Sequence, residues 1–171
     1  TMRPTSNVKL ARFGIATPDG EFVAEYSARG LAQLHFPNAR ASVPRPATSR
    51  TWSDVRPWHH ATQSALKAIL AGRSPRVFPP LDLSAGTPFQ QSVWRALTQI
   101  ARGQTRSYGE IARGVGKPKS VRAVGGACGA NPIPVLVPCH RVLTANGKLG
   151  GFSGGLDWKR RLLAREGITP G

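Results

Sequence analysis

Two helix-opening motifs constrain this chain more than any other feature. Thr87-Pro88-Phe89-Gln90 and Ser107-Tyr108-Gly109-Glu110 each place a hydroxyl three residues before Gln or Glu. In that pattern the two side chains satisfy the first free amides of a helix reciprocally. The first motif also carries Pro at the first helical position, and Phe89, Val93, Leu97 and Ile100 recur behind it along one face. The second opens a short helix that Gly114 and Gly116 stop. The spacing predicts a third helix starting at Pro118, with Val121, Val124 and Cys128 turned inward. Two short helices joined by a glycine-containing turn read as a helix-turn-helix. Beyond them Asn146-Gly147, inside Leu143 to Leu149, is a strong hairpin signal and predicts a small β wing. Leu156 to Glu166 reads as a last helix, closed by Gly167.

The first third has the opposite texture. Val8 to Ile15 and Glu21 to Tyr26 read as strands flanking Pro18-Asp19-Gly20, where Pro presets φ and Gly accepts a positive one. Leu31 to Phe36 is a third strand, giving a small antiparallel meander. Residues 37–50, with Pro37, Pro44 and Pro46, read as a loop. A helix follows from Asp54 to Ala71, with Val55, Trp58, Ala61, Ala65 and Ile69 on one face and Gly72 placed to end it. The adjacent His59-His60 pair reads as surface decoration of that helix. Pro75, Pro79 and Pro80 mark a linker. The expected class is α+β, with a sheet-and-helix domain over residues 1–80 and a helix-turn-helix domain of winged-helix type over residues 81–171.

Charge narrows the function. The chain holds 24 Lys and Arg against 8 Asp and Glu, a formal net charge of +16. Such an excess repels itself and points to a polyanionic partner, most simply nucleic acid. Between residues 95 and 122, Arg95, Arg102, Arg106, Arg113, Lys117, Lys119 and Arg122 face a single acid, Glu110. The only two cysteines, Cys128 and Cys139, cannot build a disulfide scaffold and lack metal-site spacing. No apolar run approaches the length of a membrane span and no signal peptide opens the chain, so neither a membrane nor a secreted protein is expected.

The chemistry sits in Asn131-Pro132-Ile133-Pro134-Val135-Leu136-Val137-Pro138-Cys139-His140-Arg141-Val142. A cysteine followed by histidine, within an apolar and proline-stiffened segment, is a candidate nucleophile with a base at hand. Together with the Tyr108 helix start, Arg122-Ala123-Val124-Gly125-Gly126, Gly151-Phe152-Ser153-Gly154-Gly155 and Leu162-Leu163 before Glu166-Gly167, this stretch resembles the O6-alkylguanine-DNA alkyltransferases, the methylated-DNA–protein-cysteine methyltransferases. The resemblance covers most of residues 87–171. Over the N-terminal third it extends only to the order of strands and helix.

The resemblance implies a ribonuclease-H-like N-terminal domain and a helix-turn-helix that meets double-stranded DNA through the minor groove. It also implies a reaction without cofactor: one alkyl group passes from guanine O6, and by extension thymine O4, to the cysteine sulfur, once per molecule. Cys139 is then the nucleophile, His140 the acceptor of its proton through a water, and Glu166 the group that orients the histidine. A thiol with an ordinary pKa near about 8.5 is mostly protonated at neutral pH, so this assistance matters. Tyr108 matches the tyrosine that donates to guanine N3 in the leaving base, and Asn131 the hinge between recognition helix and active site. Pro134, Val142, Phe152, Ser153 and Gly154 line the substrate, with Ser153 and the carbonyls of Cys139 and Val142 reading the base edge. Arg122, Ala123, Gly125, Lys119, Ser120 and Arg106 meet DNA, and Arg122 fills the space left by the base rotated out of the stack. The expected state is a monomer, with cooperativity along DNA left open, in the cytoplasm of a prokaryote or the nucleus of a eukaryote.

Two departures stand out. Phe152 occupies a position where many family members carry tyrosine, which removes a hydroxyl contact. Residues 1–80 hold no Cys, only His35, His59 and His60, so no structural zinc is expected. Cys128 reads as a packed thiol. Three other readings are weaker. A lesion-binding protein without transfer chemistry has no use for Cys139. A cysteine hydrolase lacks a recognisable oxyanion loop and separate orienting Asn or Asp. A winged-helix regulator would need a second helix richer in base-reading side chains than Ala123, Gly125, Gly126 and Ala127 supply.

Overall fold

The computed structural model describes residues 11–37 and 49–171. The expected strand start at Val8 and the proline-bearing loop around Pro44 and Pro46 lie outside the described residues. Strands β1 (Ala11–Thr17), β2 (Gly20–Ser27) and β3 (Gly30–His35) form an antiparallel meander in the order β1-β2-β3. The register pairs Phe13 with Ala24 and Ile15 with Phe22. Alternation along β1 turns Ala11, Phe13 and Ile15 into the core, as the period of two requires.

Helix α1 (Ser49–Leu70) packs on this sheet through Val55, Ala65, Leu66 and Ile69, starts earlier than the expected Asp54, and runs through Pro57. His59 corrects the reading of the His pair. It is buried, its Nδ1 lies 2.9 Å from the Tyr26 hydroxyl, and its ring is 5.4 Å from that of Phe13. Only His60 is exposed. Helical spacing puts His59 one turn beyond Val55, on the stripe that faces the sheet.

The proline-rich linker is stitched to the sheet. The Leu31 amide donates to the Pro80 carbonyl and the Asp82 amide to the Leu31 carbonyl, both at 2.8 Å. Helix α2 (Pro88–Leu97) and helix α3 (Tyr108–Gly114) both begin with the reciprocal capping hydrogen bonds expected of Thr87/Gln90 and Ser107/Glu110. Helix α4 (Val121–Gly129) starts later than Pro118, which instead sits in a turn closed by the Ser120 amide on the Lys117 carbonyl at 2.8 Å. As a result Val121 is not inward but 43% exposed, whereas Val124 and Cys128 are buried as expected. The Trp94 indole donates to the Ala127 carbonyl at 2.8 Å and ties α2 to α4.

After α4 the chain runs through a buried segment into one 3-10 turn (Cys139–Arg141) and strand β5 (Val142–Leu143). β5 pairs in parallel with β4 (Arg106–Ser107), so the expected wing hairpin does not form. The Asn146-Gly147 turn does form, with Gly147 at φ +78° and the Thr144 amide on the Lys148 carbonyl at 2.9 Å. Its second arm runs at once into Gly150 and Gly151, which offer no side chains to hold a strand. Helix α5 (Leu156–Arg165) closes the fold, capped by Glu166 and by Gly167 at φ +77°.

Two contacts join the sheet to α5. Asp19, in the β1–β2 turn, takes hydrogen bonds from Arg161 at 2.7 Å and from Arg165 at 2.6 and 2.9 Å. The Trp158 ring packs edge-on against Phe22 and at a tilt against Phe36, with centroids 5.7 and 5.0 Å away.

Candidate active site

Cys139 opens the 3-10 turn, with its amide on the Val137 carbonyl at 2.8 Å. The approach to it is braced by Asn131, whose Nδ2 donates to that same carbonyl at 2.8 Å while its Oδ1 accepts the Ile133 amide at 3.0 Å. Between them Val135 is held at φ +75°, buried, a conformation costly for a β-branched residue that persists only where the surroundings over-determine it. The Leu34 amide of β3 adds a bond to the Pro132 carbonyl at 2.9 Å, so the sheet also holds this segment.

Cys139 is 3% exposed, and burial pushes its thiol up to about 11, with the Asn131 side chain and the Lys159 charge acting in the opposite direction. His140 is fully buried and directs Nε2 at Glu166 Oε1, 3.0 Å away. Its Nδ1 is buried without a hydrogen-bond partner in the protein. Burial lowers the imidazole pKa despite the carboxylate beside it.

Glu166 sits at the C-cap of α5, where the helix dipole opposes an anion. The opposition is outweighed by donors. Arg141 reaches both carboxylate oxygens with Nε at 3.0 Å and Oε1 with Nη2 at 2.8 Å, and the Gly103 amide donates at 3.1 Å. Against the raising effect of burial, these donors and His140 bring Glu166 down to about 2. It is a permanent carboxylate.

Above the thiol lies a cavity of about 780 Å³ whose lining includes Tyr108, Arg122, Gly125, Cys139, Phe152 and Ser153. Six of the residues singled out in the sequence therefore meet in one place. Asn131, Pro134 and Gly154 line a second cavity of about 520 Å³ that shares Ser153 with the first. Val142 is wholly buried, with its carbonyl accepting from Lys159 at 2.7 Å. Lys119, Arg122, Ala123 and Arg106 are exposed; Ser120 stands at the α4 N-cap without a side-chain capping bond. Burial raises the Tyr108 pKa, which keeps its hydroxyl a donor.

Comparison with known proteins gives the family of the chain. Residues 88–168 match the family model described as 6-O-methylguanine DNA methyltransferase, DNA binding domain. The methylated-DNA–protein-cysteine methyltransferase of Methanosarcina acetivorans is 40% identical over 151 residues, covering 88% of this chain and 94% of that one. The chain belongs to the methylated-DNA–protein-cysteine methyltransferase family. The member from Mycolicibacterium paratuberculosis is 55% identical over 101 residues, 59% of this chain and 61% of its own. Among solved structures, the Mycobacterium tuberculosis protein in complex with DNA superposes with a TM-score of 0.74 at 40% identity, over 90% of both chains.

Three residues that pack around this candidate site carry no signal in the family motifs or go unassigned by them. Lys159 is fully buried, and its Nζ donates to the carbonyls of Val142 at 2.7 Å, Gly151 at 3.1 Å and Leu149. It thereby pins the glycine-rich segment beside Cys139, under the Tyr108 ring at 5.9 Å from its centroid. A pattern along α5 could have revealed it: Lys159 shares the helical face of Leu162, Leu163 and Glu166, and a charge on a buried stripe needs partners. Arg141, read only as part of a motif, is the main holder of Glu166. Phe36, from the N-terminal sheet, lies 5.8 Å from Phe152 and fills the space a side chain at Gly154 would need. No sequence spacing signals that contact.

Proposed function

We infer that the protein repairs DNA by direct reversal, transferring the alkyl group of O6-alkylguanine to the sulfur of Cys139. The observation that carries this reading is the buried chain Cys139–His140–Glu166–Arg141 lying beneath a cavity rimmed by Tyr108, Ser153 and Arg122. The Cys139 proton passes to Nδ1 of His140 through a water, because neighbouring residues in one turn do not point at each other. Nε2 then shares its proton with Glu166, whose charge stabilises the imidazolium. The sulfur lone pair forms the new S–C bond as the C–O6 bond breaks. Its electron pair flows into the guanine, where the Tyr108 hydroxyl supplies a proton at N3. The thioether does not hydrolyse, so one molecule acts once.

A base inside the duplex cannot reach a buried thiol and must be rotated out. Arg122, exposed in the first turn of α4 and at the cavity rim, fills the gap, while Ala123 and Gly125 let the helix backbone come close to the minor groove. Lys119, Ser120 and Arg106 meet flanking phosphates. In this reading residues 1–80 form a ribonuclease-H-like unit and residues 81–171 a helix-turn-helix unit, acting as a monomer in the cytoplasm. O4-alkylthymine is a second substrate, since it presents the same alkyl–oxygen bond.

The test is intact mass after incubation with a duplex bearing O6-methylguanine, followed by peptide mapping. A gain of one methyl group on Cys139, absent in Cys139→Ser, is the expected result. Retained duplex binding with no mass gain, or methylation on Cys128, overturns the assignment.

A further inference from the structure

A second strongly basic site lies away from the alkyl-transfer cavity. The end of α1 and the segment after it enclose a cleft of about 620 Å³ lined by Ser64, Lys67, Ala68, Arg73, Ser74 and Arg76. None of these residues borders the Cys139 cavity, and none belongs to α3 or α4. The three cations converge because the helix ends in a tight reversal. Gly72, at φ +71°, turns the chain, and the Arg73 amide folds back onto the Ala68 carbonyl at 2.9 Å. Arg73 thereby returns to the side of Lys67 instead of continuing along the helix axis. A fourth cation, Arg102, borders the same turn, with its guanidinium 3.7 Å from where a Gly72 side chain would start.

Cations at a helix C-terminus can simply complement the dipole. Here the last-turn carbonyls of Lys67, Ala68 and Ile69 already accept the amides of Ala71, Gly72 and Arg73. The cleft contains no carboxylate, and among the described residues Lys67, Arg73 and Arg76 form no ion pair. What remains is a concave surface with two guanidinium forks, one ammonium and two hydroxyls, a donor set that suits phosphate oxygens.

We propose that this cleft binds the phosphodiester backbone of a second stretch of duplex DNA, so that one molecule can hold two DNA segments. The repair reading supplies only the identity of the polyanion. Much of the +16 net charge lies outside the helix-turn-helix, and a second backbone contact gives that excess a role. A site of this kind is sequence-independent and salt-sensitive.

The experiment uses the whole chain bound to a bead-immobilised duplex and offered a second, dye-labelled undamaged duplex. Wild type should retain the second duplex. The variant Lys67→Gln/Arg73→Gln/Arg76→Gln should lose its capture by about tenfold or more at moderate salt. Single-turnover methyl transfer from a short O6-methylguanine duplex should stay unchanged in that variant, which separates failure of this proposal from failure of the repair reading. Equal capture by both proteins overturns the proposal, and so does capture that depends on self-association of the protein. Inorganic phosphate, titrated by calorimetry, supplies the remaining arm. Phosphate binding lost in the variant, with no duplex capture by wild type, would make the cleft a small-anion site and overturn the DNA assignment.

Discussion

Arg141 and His140 converge on the same oxygen of Glu166, at 2.8 Å from Nη2 and 3.0 Å from Nε2. Arg141 also donates from Nη1 to the Ile100 carbonyl at 2.6 Å, so its guanidinium is held at both ends. The carboxylate is therefore shared. Its orientation comes from Arg141, and only part of its charge is left to stabilise an imidazolium.

Removing Arg141 should cost both stability and rate. Arg141→Ala leaves a buried carboxylate short of its main partner, a loss of about 3–5 kcal/mol. Arg141→Lys keeps the charge but cannot span both carboxylate oxygens and the Ile100 carbonyl. We expect Arg141→Lys to fold and to transfer at least about tenfold more slowly, measured with free O6-benzylguanine. A wild-type rate in Arg141→Lys would show that charge suffices and that the fork geometry plays no part.

The pH dependence separates internal proton transfer from loss of a proton to solvent. The Cys139 thiol sits near 11 and His140 below its ordinary value. Between those limits the thiolate–imidazolium pair has the same total proton count as the neutral pair. The wild-type rate with free O6-benzylguanine should accordingly be flat from about pH 7 to 9 and fall only on the acid side, once His140 is already protonated. In His140→Gln the proton must leave to solvent, so the rate should be lower and rise about tenfold per pH unit. Parallel profiles would remove His140 as the base.

Arg122 predicts a split between substrates. Arg122→Ala should slow repair of duplex DNA by about a hundredfold or more and leave reaction with the free base nearly intact, since a free base needs no rotation out of a stack. Arg122→Lys should restore little, because an ammonium cannot stack in the vacated space. Recovery of the duplex rate by lysine would reduce Arg122 to a phosphate contact. Equal loss on both substrates would make it a support of the fold.

Buried His59 ties stability to pH. Burial lowers its pKa to about 4, against the ordinary 6.5. The unfolded chain takes up a proton near 6.5 and the folded chain only near 4, so the contribution is complete above 6.5 and declines as pH falls towards 4. The span is about 3 kcal/mol. Urea unfolding of wild type and His59→Gln at pH 7 and pH 4.5 should show a clearly smaller acid loss in the variant. Equal losses would assign the acid sensitivity elsewhere.

Interactions confined to a few successive residues are legible in the amino-acid sequence alone. The capping boxes at Thr87 and Ser107, the Pro18-Asp19-Gly20 turn and the ends at Gly72 and Gly167 depend on hydrogen bonds within about one helical turn, and all of them form. The family motifs, in their order, single out Cys139, His140, Tyr108, Arg122, Phe152 and Ser153; the lining of the first cavity includes all of them but His140, which follows Cys139 in the same 3-10 turn.

Tertiary structure decided whatever rests on contacts between segments far apart in the chain. Arg141 meets Glu166 across 25 residues, Lys159 meets Val142 across 17, and Tyr26 meets His59 across 33. Whether a polar side chain is solvated or buried with a partner depends on what packs over it, and pattern along one element does not contain that information. The same holds for β5, which pairs with β4 and not with its own hairpin arm, and for Val121, which the later start of α4 leaves at the surface. Local chemistry in the sequence determined the two capped starts at Thr87 and Ser107 and the glycine ends at Gly72 and Gly167, and the motif around Cys139 marked it as the candidate nucleophile. Packing determined which charges hold Glu166 and the glycine-rich segment in place around it, because desolvation makes an unpaired buried charge too costly to persist.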